Sequence, residues 1–348
     1  MIRRRTLAWT ALAVALLAVP AVVTNPYHLN LFILAGLNAA LGATFLLLLR
    51  TGLVTMAIAA FLEIGATTTA ALMVNLGWSF WPALLAGTVA TTLVAWLLGI
   101  PLARSSGFTF VMLTSVVAML VPQVFASIRA LGGFSGIQGI PAPPPIALGP
   151  LVLEFSGKTG MYYLTFAVVG LCLLVLGAAY AGRVGRAWSS IGLHPRLAGS
   201  VGVDVVRYRR HAFVLAGAIA GLVGGVYAVY LGAVVPSQFS IFKTINVHIG
   251  AILGGVPFAL LGPLVGSGLM TALPEMLRSI PYLEPFVSGT LYIVAILLLP
   301  DGVLSLLGLR SGGARARRWW RRSVDDSRAE SSGAAPVDSP AASGGGRD

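Results

Sequence analysis

Charge is scarce in this sequence. Of its 348 residues only 10% are Asp, Glu, Lys or Arg, and 57% are hydrophobic. A soluble domain is about 25% charged, so this composition argues against a soluble enzyme. A single cysteine, Cys172, excludes a disulfide scaffold, and the apolar content excludes a disordered chain. Catalytic signatures are lacking as well. There is no G-x-x-x-x-G-K-[ST] phosphate loop, no H-E-x-x-H helix and no G-x-S-x-G elbow. The four histidines (His28, His194, His211 and His248) are scattered and give no zinc-ligand spacing.

Long apolar runs take their place. They cover about 7–23, 29–49, 54–74, 80–98, 108–128, 161–181, 212–232 and 283–299, each long enough to cross about 30 Å of hydrocarbon as a helix. The stretch 245–277 is interrupted by Gly254, Gly255, Pro257, Gly262 and Pro263, and reads as one broken helix or two short ones. The run at 7–23 follows Arg3, Arg4 and Arg5. It reads as a retained first helix, a signal peptide being the alternative.

The net charge of +12 is unevenly placed. With the amino terminus in the cytoplasm, 19 of the 23 basic residues fall inside and Arg129, Lys158, Lys243 and Arg278 fall outside. The opposite orientation reverses this bias and breaks the positive-inside rule. The basic tail from Arg310 is also expected inside, so the span number is even and 245–277 crosses twice. The expected fold is an all-α polytopic membrane protein with about ten helices, both termini cytoplasmic, and a possible inverted repeat of two fives. Residues 1–309 form the membrane domain. Residues 310–348 form a basic, then Ser/Gly/Ala/Pro-rich disordered cytoplasmic tail. The excess charge reads as anchoring at anionic membrane lipids, with no nucleic acid partner.

Two loops stand out. Residues 129–160, outside, carry glycine turns and a run of prolines, and read as a structured cap or a plain loop. Residues 183–212, inside, are polar by the standards of this chain. A short helix is expected at 184–191, a turn at Gly192, His194 and Pro195, and a further short element at 198–206. Such a loop suits docking of a cytoplasmic partner, a basic inside loop being the simpler alternative.

Few polar residues fall within the spans. Glu63 lies in the middle of the third, where a carboxylate faces the bundle interior or a polar cavity. It is a candidate for the translocation path, or a hydrogen-bonding group between helices. Thr67, with Thr68 and Thr69, lines a path or joins helices. His248, near the outer end of the eighth span beside Asn246, reads as a satisfied polar residue. Gly217, Gly221, Gly224 and Gly225 make a close-packing face. Gly254 and Gly255 mark a broken helix whose freed backbone donors suit a carboxylate-bearing solute, or else tight packing.

Four stretches stand out together: 52–67 (GLVTMAIAAFLEIGAT), 132–141 (GGFSGIQGIP), 185–213 leading into 220–228 (AGLVGGVYA), and 253–267 (LGGVPFALLGPLVGS) with 299–302 (LPDG). In this order they resemble the permease subunits of branched-chain amino acid ABC importers, of the longer of their two types. The resemblance implies a bacterial plasma-membrane importer. It would contain a second permease, two cytoplasmic ATPase subunits and an extracytoplasmic substrate-binding protein. It also implies no cofactor in this chain, ATP being used on the ATPases, and no enzymatic activity of its own. Residues 183–212 match the loop that couples to an ATPase, with Arg186, Ala187, Ala198, Gly202 and Tyr208 on its recurring positions. The chain departs from the family pattern at 55–58, at Glu63 and Thr67, and at Gly192, Leu193, His194 and Pro195 of the coupling loop. The family's range extends to urea and short amides, which stand as alternative cargoes. A self-sufficient secondary transporter using Glu63 is the remaining alternative.

Overall fold

In hydrocarbon every backbone N–H and C=O must find an internal partner, and a helix provides one within a single segment. The computed structural model describes residue Pro20 and residues 25–148, 151–153, 155, 157–256, 260–277, 289, 302 and 303. Six described helices are long and apolar enough to cross a membrane: α1 (Pro26–Leu49), α2 (Ile58–Leu76), α3 (Phe80–Leu102), α4 (Gly107–Ser127), α5 (Lys158–Ala181) and α8 (Val205–Leu231). Between the last two lie α6 (Arg183–Leu193) and α7 (Pro195–Ser200). Two shorter helices follow, α9 (Ile241–Gly254) and α10 (Leu261–Leu277).

Local chemistry sets several boundaries. At the start of α1 the Asn25 side chain accepts from the Tyr27 N–H at 3.0 Å, with Pro26 in the first turn. Asp204 caps α8 through the Arg207 N–H at 3.0 Å. Gly77 and Gly232 end α2 and α8 in the left-handed conformation.

The centre of the molecule is a sandwich of α2, α8 and α3 made close by glycine. A Cβ on Gly65 would fall on the Gly221 carbonyl, and one on Gly224 on the Leu62 carbonyl. Gly217 leaves room for Ala95, and Gly225 for Leu84 and Thr69. The contacts Phe61–Gly217, Gly65–Gly221 and Thr69–Gly225 run in the same sequence direction for α2 and α8, whereas Ala95–Gly217, Thr91–Gly221 and Leu84–Gly225 run in opposite directions for α3 and α8. The expected small-residue face of 217–225 is therefore a packing face. Phe213 stacks edge-on to Phe61 at 5.2 Å and to Phe110 at 5.9 Å. The outer helices bury little. On α4 only Phe110, Thr114, Ala118 and Ala126 are buried, while Phe108, Met112, Met119 and Val124 are exposed, an apolar surface suited to lipid.

At one end the termini of α1, α5 and α8 gather with α6. The Arg50 guanidinium lies over the Tyr180 ring at 4.4 Å, and Arg209 Nε donates to the Thr51 carbonyl at 3.3 Å. At the other end Lys158 meets the Tyr230 ring at 5.1 Å, and Asn75 donates to the Ala130 carbonyl at 3.0 Å.

The loop after α4 is built, not plain, over its first part. Short 3-10 turns at Arg129–Leu131 and Gly133–Ser135 lead into β1 (Ile137–Gln138), which pairs antiparallel with β4 (Ala233–Val234). Between them in sequence, β2 (Ile146–Leu148) and β3 (Leu151–Leu153) form a separate hairpin. Gly136 lies against the Val234 carbonyl, where a Cβ would not fit.

Three expected boundaries are corrected. The run at 54–74 begins as non-helical chain, since the helix starts only at Ile58. The run at 212–232 begins earlier, since α8 starts at Val205 and takes in the basic residues 207–211. The short element expected at 198–206 is instead α7, at Pro195–Ser200, followed by a turn into α8. The stretch 245–277 forms two helices that turn back on each other: Gly254 packs on Gly262, and Gly250 on Gly266 and Met270. The expected spans at 7–23 and 283–299 and the tail 310–348 lie almost wholly or wholly outside the described residues.

Candidate translocation and coupling sites

Two segments enter the bundle without helix. After α1 the chain turns at Gly52 (φ +73°), continues non-helical and starts α2 at Ile58. After α8 it turns at Gly232 (φ +69°), passes through β4 and the 3-10 turn Pro236–Phe239, and starts α9 at Ile241. The two helix starts meet. Thr244 Oγ1 accepts from the Ala59 N–H at 3.0 Å and donates to the Met56 carbonyl at 3.1 Å. On the other side Met56 N–H donates to Thr114 Oγ1 of α4 at 3.1 Å. A helix start leaves four N–H groups without intrahelical partners. Here a side chain 185 positions away supplies one partner.

Glu63 and Thr67 share the face of α2 opposite Gly65, one turn apart. Both are buried, and neither Glu63 oxygen nor Thr67 Oγ1 has a hydrogen-bond partner. An ionised carboxylate so placed costs several kcal/mol unless something pairs with it. Thr69, by contrast, joins helices, donating to the Ala83 carbonyl at 3.4 Å. His248 is not at the end of a span. It sits within α9, buried against the Phe45 ring at 3.9 Å, and its Nε2 has no partner, so the expected satisfied residue is corrected on that nitrogen. Gly254 and Gly255 form the α9–α10 turn. Gly302 packs on Gly255 so closely that a Cβ would not fit, which brings this distant glycine to the turn.

A cavity of about 330 Å3 lies between α1, α9 and α10, in the half of the molecule where α1 begins and α8 ends. Asn30 and Asn38 enter it from α1, Tyr227 from α8, Lys243 and Asn246 from α9, and Ser267 and Thr271 from α10. Leu31, Leu34, Val247 and Met270 complete its wall. None of Glu63, Thr67, Gly254 and Gly255 lines it. Sequence reasoning missed this group because its members lie on four segments. The available signal was Asn30 and Asn38 eight residues apart on one helix face, and Lys243 and Asn246 three apart.

The loop 183–212 is an elbow of α6 and α7 seated on the root of the first non-helical segment. Gly192 lies against the Arg50 carbonyl and Gly185 against the Tyr180 carbonyl, both without room for a Cβ. Trp188 is buried and donates from Nε1 to the Tyr208 carbonyl at 3.0 Å. Of the five positions singled out, Arg186 and Gly202 are exposed, Tyr208 is half-buried, and Ala187 and Ala198 are buried within this chain. Those two alanines therefore hold the elbow to its own bundle. The free face adds Leu193, Leu197 and Val201, which are 57%, 63% and 78% exposed.

Comparison with known proteins agrees with this architecture. The chain is 27% identical over 314 residues to the high-affinity branched-chain amino acid transport system permease protein LivM of Salmonella typhimurium, covering 81% of this chain and 70% of the relative. It is 28% identical over 309 residues to the protein of the same name from Escherichia coli, with the same shares covered. No solved structure gives a significant match. Residues 27–298 match the family described as branched-chain amino acid transport system / permease component. This match takes in all six long apolar helices except the first residue of α1, and also the elbow and the α9–α10 turn, and the chain belongs to that family.

Proposed function

We propose that this chain is the LivM-like membrane subunit of an ATP-driven importer for branched-chain amino acids. It is a multi-pass protein of the bacterial plasma membrane with a transport role and no catalysis of its own. A second permease shares the translocation path, two ATPase subunits bind and hydrolyse ATP in the cytoplasm, and an extracytoplasmic binding protein delivers the solute. The observation that carries the reading is the elbow. Its buried side packs on Arg50 and Tyr180, and its free side presents Leu193, Leu197 and Val201 with Arg186 and Arg196 at the basic end. An exposed apolar patch of this kind on a basic surface suits a protein partner.

The proposed topology has ten crossings with the basic end cytoplasmic. Two features support it. The positive-inside rule assigns Arg50, Arg183, Arg186, Arg207, Arg209 and Arg210 to one side. The α9–α10 pair returns toward the end it came from, which preserves an even count. The units α1–turn–α2 and α8–turn–α9 are the proposed core of an inverted repeat. Each has a long helix, a glycine with positive φ, a non-helical entry and a second helix.

Force then has a route. Movement of α6 reaches the 50–52 turn through Gly192 and Arg209, and passes along the non-helical segment to Met56, Ala59 and Thr244. The test is uptake of labelled leucine by membrane vesicles containing the whole assembly, with and without ATP. ATP-dependent accumulation that disappears on deletion of 186–202 is expected. Accumulation without nucleotide, or with the elbow deleted, would refute the proposal.

A further inference from the structure

The cavity between α1, α9 and α10 has an unusual lining for a membrane domain. Among the described residues it holds one cation, Lys243, and no acidic residue. The Lys243 ammonium lies 5.2 Å from the centre of the Tyr227 ring. Ser267 is 1% exposed, and its hydroxyl has no hydrogen-bond partner. Buried polar groups are nearly always paired, so an open hydroxyl in a cavity wall points to a missing ligand. The volume of about 330 Å3 lies in the range of small-molecule sites.

We propose that this cavity binds an amino acid with an aliphatic side chain through its carboxylate. Lys243 is the counter-charge and Ser267 the hydroxyl donor. The side-chain carbonyls of Asn30 and Asn38 accept from the ammonium group, and Leu34 and Met270 receive the aliphatic chain. The assignment rests on the importer reading and names the recognition chemistry within it. It also sets a selection rule. An amide or urea of the same size brings no negative charge, leaves Lys243 unpaired, and is rejected for that reason.

The experiment is equilibrium binding of tritiated leucine to the whole assembly in nanodiscs, without nucleotide or binding protein, with two competitors. 4-Methylpentanoate keeps the carboxylate and lacks the ammonium, whereas leucinamide keeps the ammonium and lacks the carboxylate. Displacement by 4-methylpentanoate and not by leucinamide is expected. Lys243→Met should weaken binding about tenfold or more, the loss of one charge-assisted contact, and Lys243→Arg should retain most of it. Equal displacement by leucinamide, wild-type affinity in Lys243→Met, or no saturable binding would overturn the proposal. If Lys243→Met fails to assemble, the competitor order on the wild type and a few-fold loss in Ser267→Ala decide the matter. ATP-dependent leucine uptake, measured alongside, separates the two claims. Uptake by the wild type with no carboxylate preference in binding sinks the cavity alone. Absence of uptake sinks the importer reading, while the competition result still judges the cavity.

Discussion

The hydroxyl of Thr244 accepts the backbone N–H of Ala59 at 3.0 Å, and so ties the first turn of α9 to the first turn of α2. The same hydroxyl donates to the Met56 carbonyl at 3.1 Å. The bond to Ala59 is buried and that to Met56 partly so, and a buried polar group left without its partner costs its desolvation. Thr244→Val keeps the shape and removes the oxygen. It should destabilise the chain by about 1–3 kcal/mol and lower the melting temperature of the detergent-solubilised assembly. Thr244→Ser should stay near the wild type. Equal melting of all three would show that the bond is dispensable.

A substitution at Glu63 is expected to separate transport from assembly. Neither of its oxygens has a partner, so no hydrogen bond holds neighbouring helices through it. Glu63→Gln should leave the yield of co-purified assembly unchanged and reduce leucine uptake per assembly. Parallel loss of yield and uptake would assign it a structural role.

Glycine pairs at helix contacts should be intolerant, and open glycines tolerant. Gly65→Ala drives a methyl group into the Gly221 carbonyl. Backbone cannot move aside as a side-chain tip can, so the expected cost is about 1–3 kcal/mol, with reduced membrane yield. Gly170, within α5, has open space around its Cβ position. Gly170→Ala should be neutral or stabilising by up to about 1 kcal/mol. Fluorescence-detected size exclusion of both variants, heated in parallel, checks the contrast.

Gly192→Val should uncouple the elbow. A side chain at that position meets the Arg50 carbonyl and lifts α6 from the 50–52 turn. The exposed Leu193, Leu197 and Val201 are untouched, so ATPase association should persist. ATP hydrolysed per leucine transported, measured in proteoliposomes, should rise several-fold. An unchanged ratio would remove Gly192 from the proposed route.

Much of this protein is legible in its sequence. The apolar runs announce helices because lipid offers the backbone almost no other solution. Arginine placement sorts their ends because positively charged loops stay with the anionic leaflet. The 217–225 glycines announce close packing because they recur at helical spacing. Family membership was legible for a related reason: the four matching stretches fall on the turn after α1, the β1 loop, the elbow and the α9–α10 turn.

Tertiary structure alone decided the rest. Residues 53–57 are as apolar as a helix, and hydropathy reports burial, not hydrogen bonding, so the non-helical entry stayed hidden until the partners of Met56 and Ala59 were placed. Ala187 and Ala198 fall on positions that the resemblance assigns to a coupling loop, but they are buried within this chain, and the exposed face belongs to Leu193, Leu197 and Val201. The cavity is the clearest case. Asn30 and Lys243 are more than 200 positions apart, and nothing local relates them. They share a wall because Gly42 lets α10 and α9 close on α1, through Pro263 and Ala251. Composition and period settle which segments leave water, whereas the meeting of distant polar side chains depends on packing that no single segment encodes.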